Sequence, residues 1–237
     1  MTETYLSPLW ISLRTVTAAT AITFALGIAA ARWMARYSGK FGNLIDGLFI
    51  LPLVLPPTVV GLGLLLMFGR HGPLGKLLSL FNAAIIFSWP ATVISAAVMS
   101  FPLMYMTSRG AFEQVDSSIE DAARTLGASE WRVFWSVTMP LAWPGVAAAT
   151  VLSVARSLGE FGATLMLAGN IPGKTATIPI AIYFAIQAGD MNQALVLVGI
   201  VLLIAFASLA AIAHWKRRSD RARVIVTPRE TVNQEGW

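Results

Sequence analysis

The sequence predicts an all-α protein, a polytopic bundle of five transmembrane helices. Two observations lead to this class. Of the 237 residues, 56% are hydrophobic and only 12% are charged, whereas a typical soluble domain carries roughly 25% charged residues. In addition, long uncharged apolar stretches alternate with short charged ones, which is the pattern of a chain that crosses a membrane repeatedly.

Five apolar stretches are long enough to cross the hydrocarbon core of a bilayer, which takes about 20 helical residues. They are 9–31, 44–68, 83–106, 141–168 and 194–215. The first is too long for the core of a signal peptide and no basic residue precedes it, so we interpret it as a span. The predicted membrane domain is thus 9–215, followed by a basic polar tail, 216–237. A sixth apolar run, 178–186, is too short to cross and is predicted to be re-entrant or interfacial.

The basic residues predict the orientation of these spans. With the N-terminus outside, three basic residues fall in the outer connections, which are Arg70, Lys76 and Lys174. Twelve fall on the cytoplasmic side, which are Arg32, Arg36, Lys40, Arg109, Arg124, Arg132, Lys216, Arg217, Arg218, Arg221, Arg223 and Arg229. Because cytoplasmic loops are enriched in Lys and Arg, we expect the N-terminus outside and the C-terminus in the cytoplasm. Basic residues that flank apolar spans indicate membrane topology rather than nucleic-acid binding.

Proline interrupts the second predicted span. Pro56 and Pro57 lie in it, after Pro52 and shortly before two glycines. Proline removes an amide donor and kinks a helix, and membrane bundles tolerate this where neighbours or water satisfy the freed carbonyls. Pro56 and Pro57 are therefore candidates for a kinked helix that lines a translocation pathway. The alternative is proline without a functional role, which is common in membrane helices.

The longest polar stretch between spans, 109–140, is predicted to contain a short helix that docks on a soluble partner. Ser117 and Glu120 have the spacing of a capping box, and Asp121 adds a second acid in the first turn. One narrow apolar face follows from residues at helical spacing, which are Ile119, Ala122, Ala123 and Leu126. We call this stretch the polar loop.

Gly127 follows where a helix would stop, in the position that favours a left-handed residue. Ser129 is placed to start a second helix, and Pro140 ends the loop or begins the next span. A helix lying on the bilayer surface is the alternative, but it would need large apolar residues and a basic polar face. Alanines on the apolar face and acids at the start favour insertion into a protein groove.

The polar loop resembles the coupling motif in membrane subunits of binding-protein-dependent ABC importers. That motif reads Glu-Ala-Ala, three residues, Gly, nine residues, Ile, any residue, Leu-Pro. The matching positions here, with Asp for Glu, Val for Ile and Met for Leu, are Asp121, Ala122, Ala123, Gly127, Val137, Met139 and Pro140. The resemblance implies a type I ABC importer fold. It also implies that an ATPase contacts Glu120, Asp121, Ala122, Ala123, Leu126, Gly127 and Pro140.

Two further stretches, 51–69 and 155–167, are similar to the molybdate branch of the molybdate, sulfate and tungstate permeases. They read LPLVLPPTVVGLGLLLMFG and ARSLGEFGATLML. The resemblance implies ATP-driven molybdate import across the bacterial cytoplasmic (inner) membrane, with sulfate, thiosulfate or tungstate as alternative cargo. The implied partners are two cytoplasmic ABC ATPase subunits, a periplasmic or surface oxyanion-binding protein and a second copy of this chain.

Arg156 and Glu160 lie within the fourth predicted span, where charge is costly and usually turned inward. Their i, i+4 spacing predicts that they pair. One interpretation is that Arg156 attracts an oxyanion in the pathway while Glu160 partly holds its charge. The other is that the pair is a structural clasp between helices.

Several other function classes lack their residues in this sequence. There is no cysteine, and the two histidines, His71 and His214, are far apart, so we predict no metal site, cofactor or catalytic thiol. No G-x-x-x-x-G-K-[ST] phosphate loop occurs, so the chain is not predicted to be an enzyme and ATP hydrolysis would belong to a partner. A secondary transporter or channel is the alternative of another class, although such proteins tend to carry intramembrane acids or inverted repeats.

Overall fold

The computed structural model describes residues 2–81 and 84–206 of the chain. Over these residues the secondary structure is helical, without a strand, which confirms the all-α prediction. The helices are α1 (Thr2–Ala35), α2 (Gly42–Val54), α3 (Pro57–Phe68), α4 (Pro73–Ser79), α5 (Trp89–Glu113), α6 (Ser117–Thr125), α7 (Glu130–Val133), α8 (Met139–Leu158), α9 (Gly162–Ala168), α10 (Ile178–Gln187) and α11 (Met191–Phe206). The predictions for His214 and the tail 216–237 lie outside the described residues.

Three long helices, α1, α5 and α8, form the centre of the bundle. Thr15 and Thr92, near the starts of α1 and α5, share a hydrogen bond of 2.8 Å between their hydroxyls. Met34 and Phe112, near the ends of the same helices, lie in one buried cluster. α1 and α5 therefore run parallel. Met139, the first residue of α8, joins that same cluster, so α8 runs antiparallel to both.

Small residues let α1 and α5 approach closely. Ala19 packs against Ala96 and Ala97 in a buried cluster. A methyl group added at Gly27 would lie 2.6 Å from Cγ of Met104, closer than side-chain atoms can come. Close contact through Gly and Ala is how helices associate in lipid, where no hydrophobic force drives them together.

The bent pair α2–α3 carries the chain back to the end of the bundle where α5 begins. Asp46 in α2 accepts a hydrogen bond of 2.6 Å from the hydroxyl of Tyr105, in the second half of α5. Leu64 in α3 lies in a buried cluster with Ala91, near the start of α5. The helices meet at an angle of 112°, so the stretch 44–68 is not the single continuous helix that the sequence predicts. Two consecutive prolines after residue 55 withhold the amide donors that would continue α2.

Three helical stretches are long and apolar enough to cross a membrane, and α2–α3 makes a fourth if the pair counts as one span. The three are Leu6–Ala35, Trp89–Glu113 and Glu130–Leu158. The sequence predicts five. The last predicted span, 194–215, is described only as far as the end of α11. The short apolar run predicted at 178–186 corresponds to α10.

Two predicted spans differ in their limits from the helices that contain them. α5 begins and ends later than the predicted span 83–106, and its polar last turn contains an ion pair of 2.7 Å between Arg109 and Glu113. The predicted span 141–168 is divided, since α8 ends at residue 158 and α9 begins at 162. At its N-terminal end, α8 continues back through a π-helical turn, Phe134–Thr138, into α7.

Candidate functional site

The polar loop folds as a short helix, α6, followed by a tight turn and α7. The N-cap of α6 is Asp116, whose carboxylate accepts a hydrogen bond of 2.9 Å from the amide of Ser118. This hydrogen bond lowers the pKa of Asp116 from its ordinary value. The capping box predicted from Ser117 and Glu120 does not form, because Glu120 is turned into the protein instead.

The turn after α6 has the geometry that the sequence predicts. Gly127 has a φ of +84°, in the left-handed region that favours glycine. Its amide donates to the carbonyl of Arg124 at 2.9 Å, and the amide of Ala128 donates to the carbonyl of Ala123 at 3.1 Å. These two bonds are the Schellman pattern that closes a helix at its C-terminus. Pro140 is exposed in the first turn of α8.

The apolar residues of α6 point mostly away from the bundle. Leu126 is 88% exposed and Ile119 is 46% exposed. Asp121 and Ala122 are also exposed, while Ala123 is half-buried. Exposed apolar side chains on a polar loop are available to a partner.

The opposite face of α6 carries Glu120, which is only 7% exposed. Its carboxylate accepts hydrogen bonds from the buried hydroxyl of Thr138 and, at 2.6 Å, from Nη2 of Arg36. Nη2 of Arg32 lies 3.1 Å from the same carboxylate, as an ion pair without hydrogen-bond geometry. We call these four residues the Glu120 cluster. It joins α6 to the end of α1 and to the start of α8.

The charges around Glu120 determine its protonation. Burial raises the pKa of this carboxyl, but hydrogen bonds from Thr138 and Arg36 and the positive charges of Arg32 and Arg36 act in the opposite direction. Their combined effect exceeds that of burial, so the pKa of Glu120 lies below its ordinary value. Glu120 is therefore ionised at neutral pH.

A second set of ion pairs surrounds the turn at Gly127. Glu130 in α7 lies 2.5 Å from Arg36, the residue that follows α1, and 2.6 Å from Arg124 of α6. Arg124 also pairs with Asp121, and hydrogen bonds from the Arg124 guanidinium to Glu130 and Asp121 raise its pKa. The two ends of the turn are thus linked to each other and to α1 by charge.

Sequence reasoning misses most of the partners of Glu120. It assigns Arg32 and Arg36 only to topology, and Thr138 to no role. Arg36 precedes Glu120 by 84 positions, and no spacing rule connects residues so far apart. The residues at the end of α1 are basic, whereas acids outnumber bases in the polar loop. This difference in charge is the only feature of the sequence that could have predicted the contact between them.

The other candidate residues lie where two broken helices meet. α2 and α3 break before Pro57, and α8 and α9 break at residues 159–161. A methyl group at Gly162 would lie 3.0 Å from Cβ of Pro57, and one at Gly61 would lie 2.8 Å from Cα of Ala163. α3 and α9 therefore pack backbone against backbone, with the two breaks side by side.

Arg156 and Glu160 form the predicted ion pair across the second break. Nη1 of Arg156 lies 2.7 Å from Oε2 of Glu160, and Glu160 is only 3% exposed. The other carboxylate oxygen, Oε1, accepts a hydrogen bond of 2.9 Å from the amide of Ala163, in the first turn of α9. With both of its oxygens engaged, Glu160 holds the end of α8 to the start of α9, as the clasp interpretation expects.

Among residues 2–81 and 84–206, no group of three or more His, Cys, Asp or Glu side chains is placed to hold a metal ion. The acidic residues of the polar loop that form ion pairs pair with arginines of the loop itself and of the end of α1; these acids are Glu113, Glu120, Asp121 and Glu130. Their arrangement fixes the position of α6 and leaves its apolar face exposed.

Comparison with known proteins places the chain among transport proteins. Residues 23–218 match the family described as "Binding-protein-dependent transport system inner membrane component". The chain is 46% identical over 215 residues to the "Molybdenum transport system permease protein ModB" of Escherichia coli (strain K12), covering 90% of this chain and 93% of the relative. It is 48% identical over 181 residues to the protein of that name from Haemophilus influenzae, covering 75% of this chain and 79% of the relative.

A solved structure has a similar fold. The chain superposes on a chain of a "bacterial ABC transporter involved in the import of the acidic polysaccharide alginate" with a TM-score of 0.76 and 16% sequence identity. The superposition covers 92% of this chain and 80% of the other. At this level of identity the likeness concerns the fold alone.

Proposed function

The chain belongs to the family of inner membrane components of binding-protein-dependent transport systems, and from this we propose that it is the permease subunit of an ATP-driven molybdate importer. The observation that supports molybdate as the transported ion is the similarity of this chain, over most of its length, to permeases named for molybdenum transport. The family is one of inner membrane proteins, and the apolar helices of this chain fit that location. ATP hydrolysis would be carried by a separate subunit.

The exposed face of α6 is the contact that we assign to the ATPase. Leu126 at its end, together with Ile119 and Ala122, offers an apolar surface of small and aliphatic residues. Asp121 adds an exposed acid beside that surface, and the glycine turn ends the helix. A short amphipathic helix of this kind fits a groove on a folded partner.

We assign the remaining parts of the importer from the same premise. The chain would cross the membrane five times with its N-terminus outside, and two copies would enclose the pathway. Two ATPase subunits would bind the α6 helices from the cytoplasm, and an oxyanion-binding protein would deliver cargo from outside. The broken helices at Pro56 and Pro57 would line the pathway, with Arg156 and Glu160 at the second break. Because Glu160 already pairs with Arg156, any attraction of Arg156 for an anion would be weak, as a pathway that must release its cargo requires.

Reconstitution in liposomes tests this function. We expect molybdate to accumulate against its gradient only when the ATPase, the binding protein and ATP are all present. Sustained accumulation without ATP would instead indicate a secondary transporter, and passive equilibration would indicate a channel. The same assay with sulfate and tungstate compares the alternative cargoes, and stronger stimulation of the ATPase by sulfate than by molybdate would contradict the proposed cargo.

Two leucine variants test the docking face within that system. We expect Leu126→Ala to reduce the amount of ATPase that copurifies with the permease, because it removes the most exposed apolar side chain of α6. Leu80→Ala is the matched control, since Leu80 is 78% exposed but follows α4, on the other half of the bundle. Equal capture of the ATPase by both variants would place the contact elsewhere.

A further inference from the structure

We propose that Arg32 and Arg36 are positioning residues that fasten α6 to α1, so that movement of the ATPase is passed to the first span as well as to α5 and α8. This inference rests on the proposed function, because it assumes that an ATPase moves α6. It assigns a mechanical role to two arginines that lie outside the coupling motif. The chain connects α6 directly to α5 and, through α7, to α8, whereas its link to α1 is made by side chains.

The attachment is built on the buried face of α6. Glu120 receives Arg36 at 2.6 Å and Arg32 at 3.1 Å, and its side chain is 9% exposed. The backbone of α6 packs on α7 and on the π-helical turn, from which Thr138 reaches the same carboxylate. Three elements therefore meet at one charge. Ionic hydrogen bonds are about twice as strong as neutral ones, and removing one partner of a buried pair is strongly destabilising.

Arg36 also prevents α6 from tilting about its turn. Nη2 of Arg36 binds Glu120 in α6, while Nη1 binds Glu130 in α7 at 2.5 Å. A planar guanidinium can hold two carboxylates in a fixed geometry, whereas an ammonium acts as a single point charge. With both carboxylates held, the turn at Gly127 cannot open without breaking an ion pair to α1. α6, α7 and the end of α1 then move as one body.

A distance measurement tests whether they do. The sequence has no cysteine, so Ser38→Cys and Ser117→Cys introduce one pair of spin-label sites in each copy of the chain, and mixing labelled with excess unlabelled permease isolates the separation within one copy. Both serines are exposed, one just after α1 and one at the start of α6. In the assembled transporter we expect the label separation to be the same with and without bound ATP. With Arg32→Gln and Arg36→Gln added, we expect the separation to change when ATP binds.

Transport measurements provide the functional readout. We expect the Arg32→Gln, Arg36→Gln variant to keep its ATPase bound while molybdate transported per ATP falls about 5-fold or more, the lower limit typical of coupling between linked sites. Lys40→Gln is the control, because it removes a basic residue beside α1 that forms no ion pair within the described residues. If the double variant does not assemble, Arg36→Lys can be used instead. It keeps the positive charge but removes the planar guanidinium that binds Glu120 and Glu130 together, so we expect a smaller loss of coupling than in the double variant.

Two results would overturn the inference: a label separation that already changes with ATP in the unmutated background, or an undiminished ratio of transport to hydrolysis in the variants. A merely structural role for the arginines would lower thermal stability without changing that ratio. Failure of the proposed function is distinguishable, because the ATPase would then not copurify even with the unmutated permease.

Discussion

At the scale of single residues, Glu120 is the charge on which the position of α6 depends. Its neighbours Asp116 and Asp121 are exposed and solvated, but Glu120 is enclosed by Arg32, Arg36 and Thr138. If that charge were removed, Arg32 would lose its ion pair, whereas Arg36 would keep its pair with Glu130. An unpaired buried charge costs far more than an unpaired surface charge.

We expect Glu120→Gln to reduce the free energy of unfolding by about 2 kcal/mol, since hydrogen bonds to a charged group contribute roughly 1.5–3 kcal/mol and the partly exposed Arg36 weakens the effect. Thermal unfolding in detergent measures the change. Glu113→Gln is the control, because Glu113 pairs with Arg109 while 47% of its side chain is exposed. That variant should differ from the unmutated chain by less than about 1 kcal/mol.

The stability difference between the unmutated chain and the Glu120→Gln variant should depend on pH. Because the pKa of Glu120 is lower in the folded chain than its ordinary value of 4.5, the ionised carboxylate stabilises the fold fully above that ordinary value. The contribution is lost as the pH falls through the folded-state pKa. The stability difference between the unmutated chain and the Glu120→Gln variant should therefore be constant from neutral pH down to about pH 5. A difference that disappears near neutral pH would show that the charge of Glu120 is not what holds α6.

At the scale of elements, hydropathy locates the helices but not their interruptions. The apolar stretches 44–68 and 141–168 satisfy a length criterion for crossing the bilayer, yet each contains two helices. Hydropathy depends on side chains, whereas a break depends on backbone donors and dihedral angles. Consecutive prolines signal the first break through their missing amides. Gly159 and Glu160 mark the second, but an isolated glycine and an intramembrane acid also occur in unbroken helices.

The turn of the polar loop could be predicted because its signal is local. Gly127 follows an apolar helical pattern at the position where chain reversal requires a positive φ, and the structure has φ +84° there. The partners of Glu120 could not be predicted in this way, since they come from α1 and from the π-helical turn. The cap lies at Asp116 rather than at Ser117, and sequence alone does not decide between them because both side chains are good N-caps.

We expect Gly127→Val to weaken ATPase association and transport while membrane insertion is unchanged. A methyl group at Gly127 would meet no atom within 4 Å, so the cost is confined to the backbone, about 1–2 kcal/mol for a left-handed non-glycine residue. Gly127→Asn is the matched control at the same position, because Asn tolerates this conformation. Copurification of the ATPase measures both variants. Equal losses for Val and Asn would indicate that a partner excludes any side chain there, rather than that the turn needs glycine.

At the scale of the whole molecule, the ion pairs of the described residues lie at one end of the bundle, apart from the pair of Arg156 and Glu160. The ends of α1 and α5, the polar loop and the start of α8 lie together, and they contain the ion pairs of Glu120, Glu130 and Asp46. Because α1 and α5 run parallel, the chain between them must return across the bundle, and α2–α3 makes that return. Four crossings therefore follow from the packing of the described helices if the bent pair spans the bilayer.

The orientation of this charged end is the remaining prediction at this scale. We expect it to face the cytoplasm, because basic residues are retained on that side. Single cysteines introduced by Ser38→Cys and Lys174→Cys test this, since both positions are exposed and the chain has no cysteine of its own. A membrane-impermeant maleimide should label the Lys174→Cys variant in intact cells and the Ser38→Cys variant only after permeabilisation. The reverse pattern would place α6 outside, away from any source of ATP, and would contradict both the orientation and the proposed docking of an ATPase.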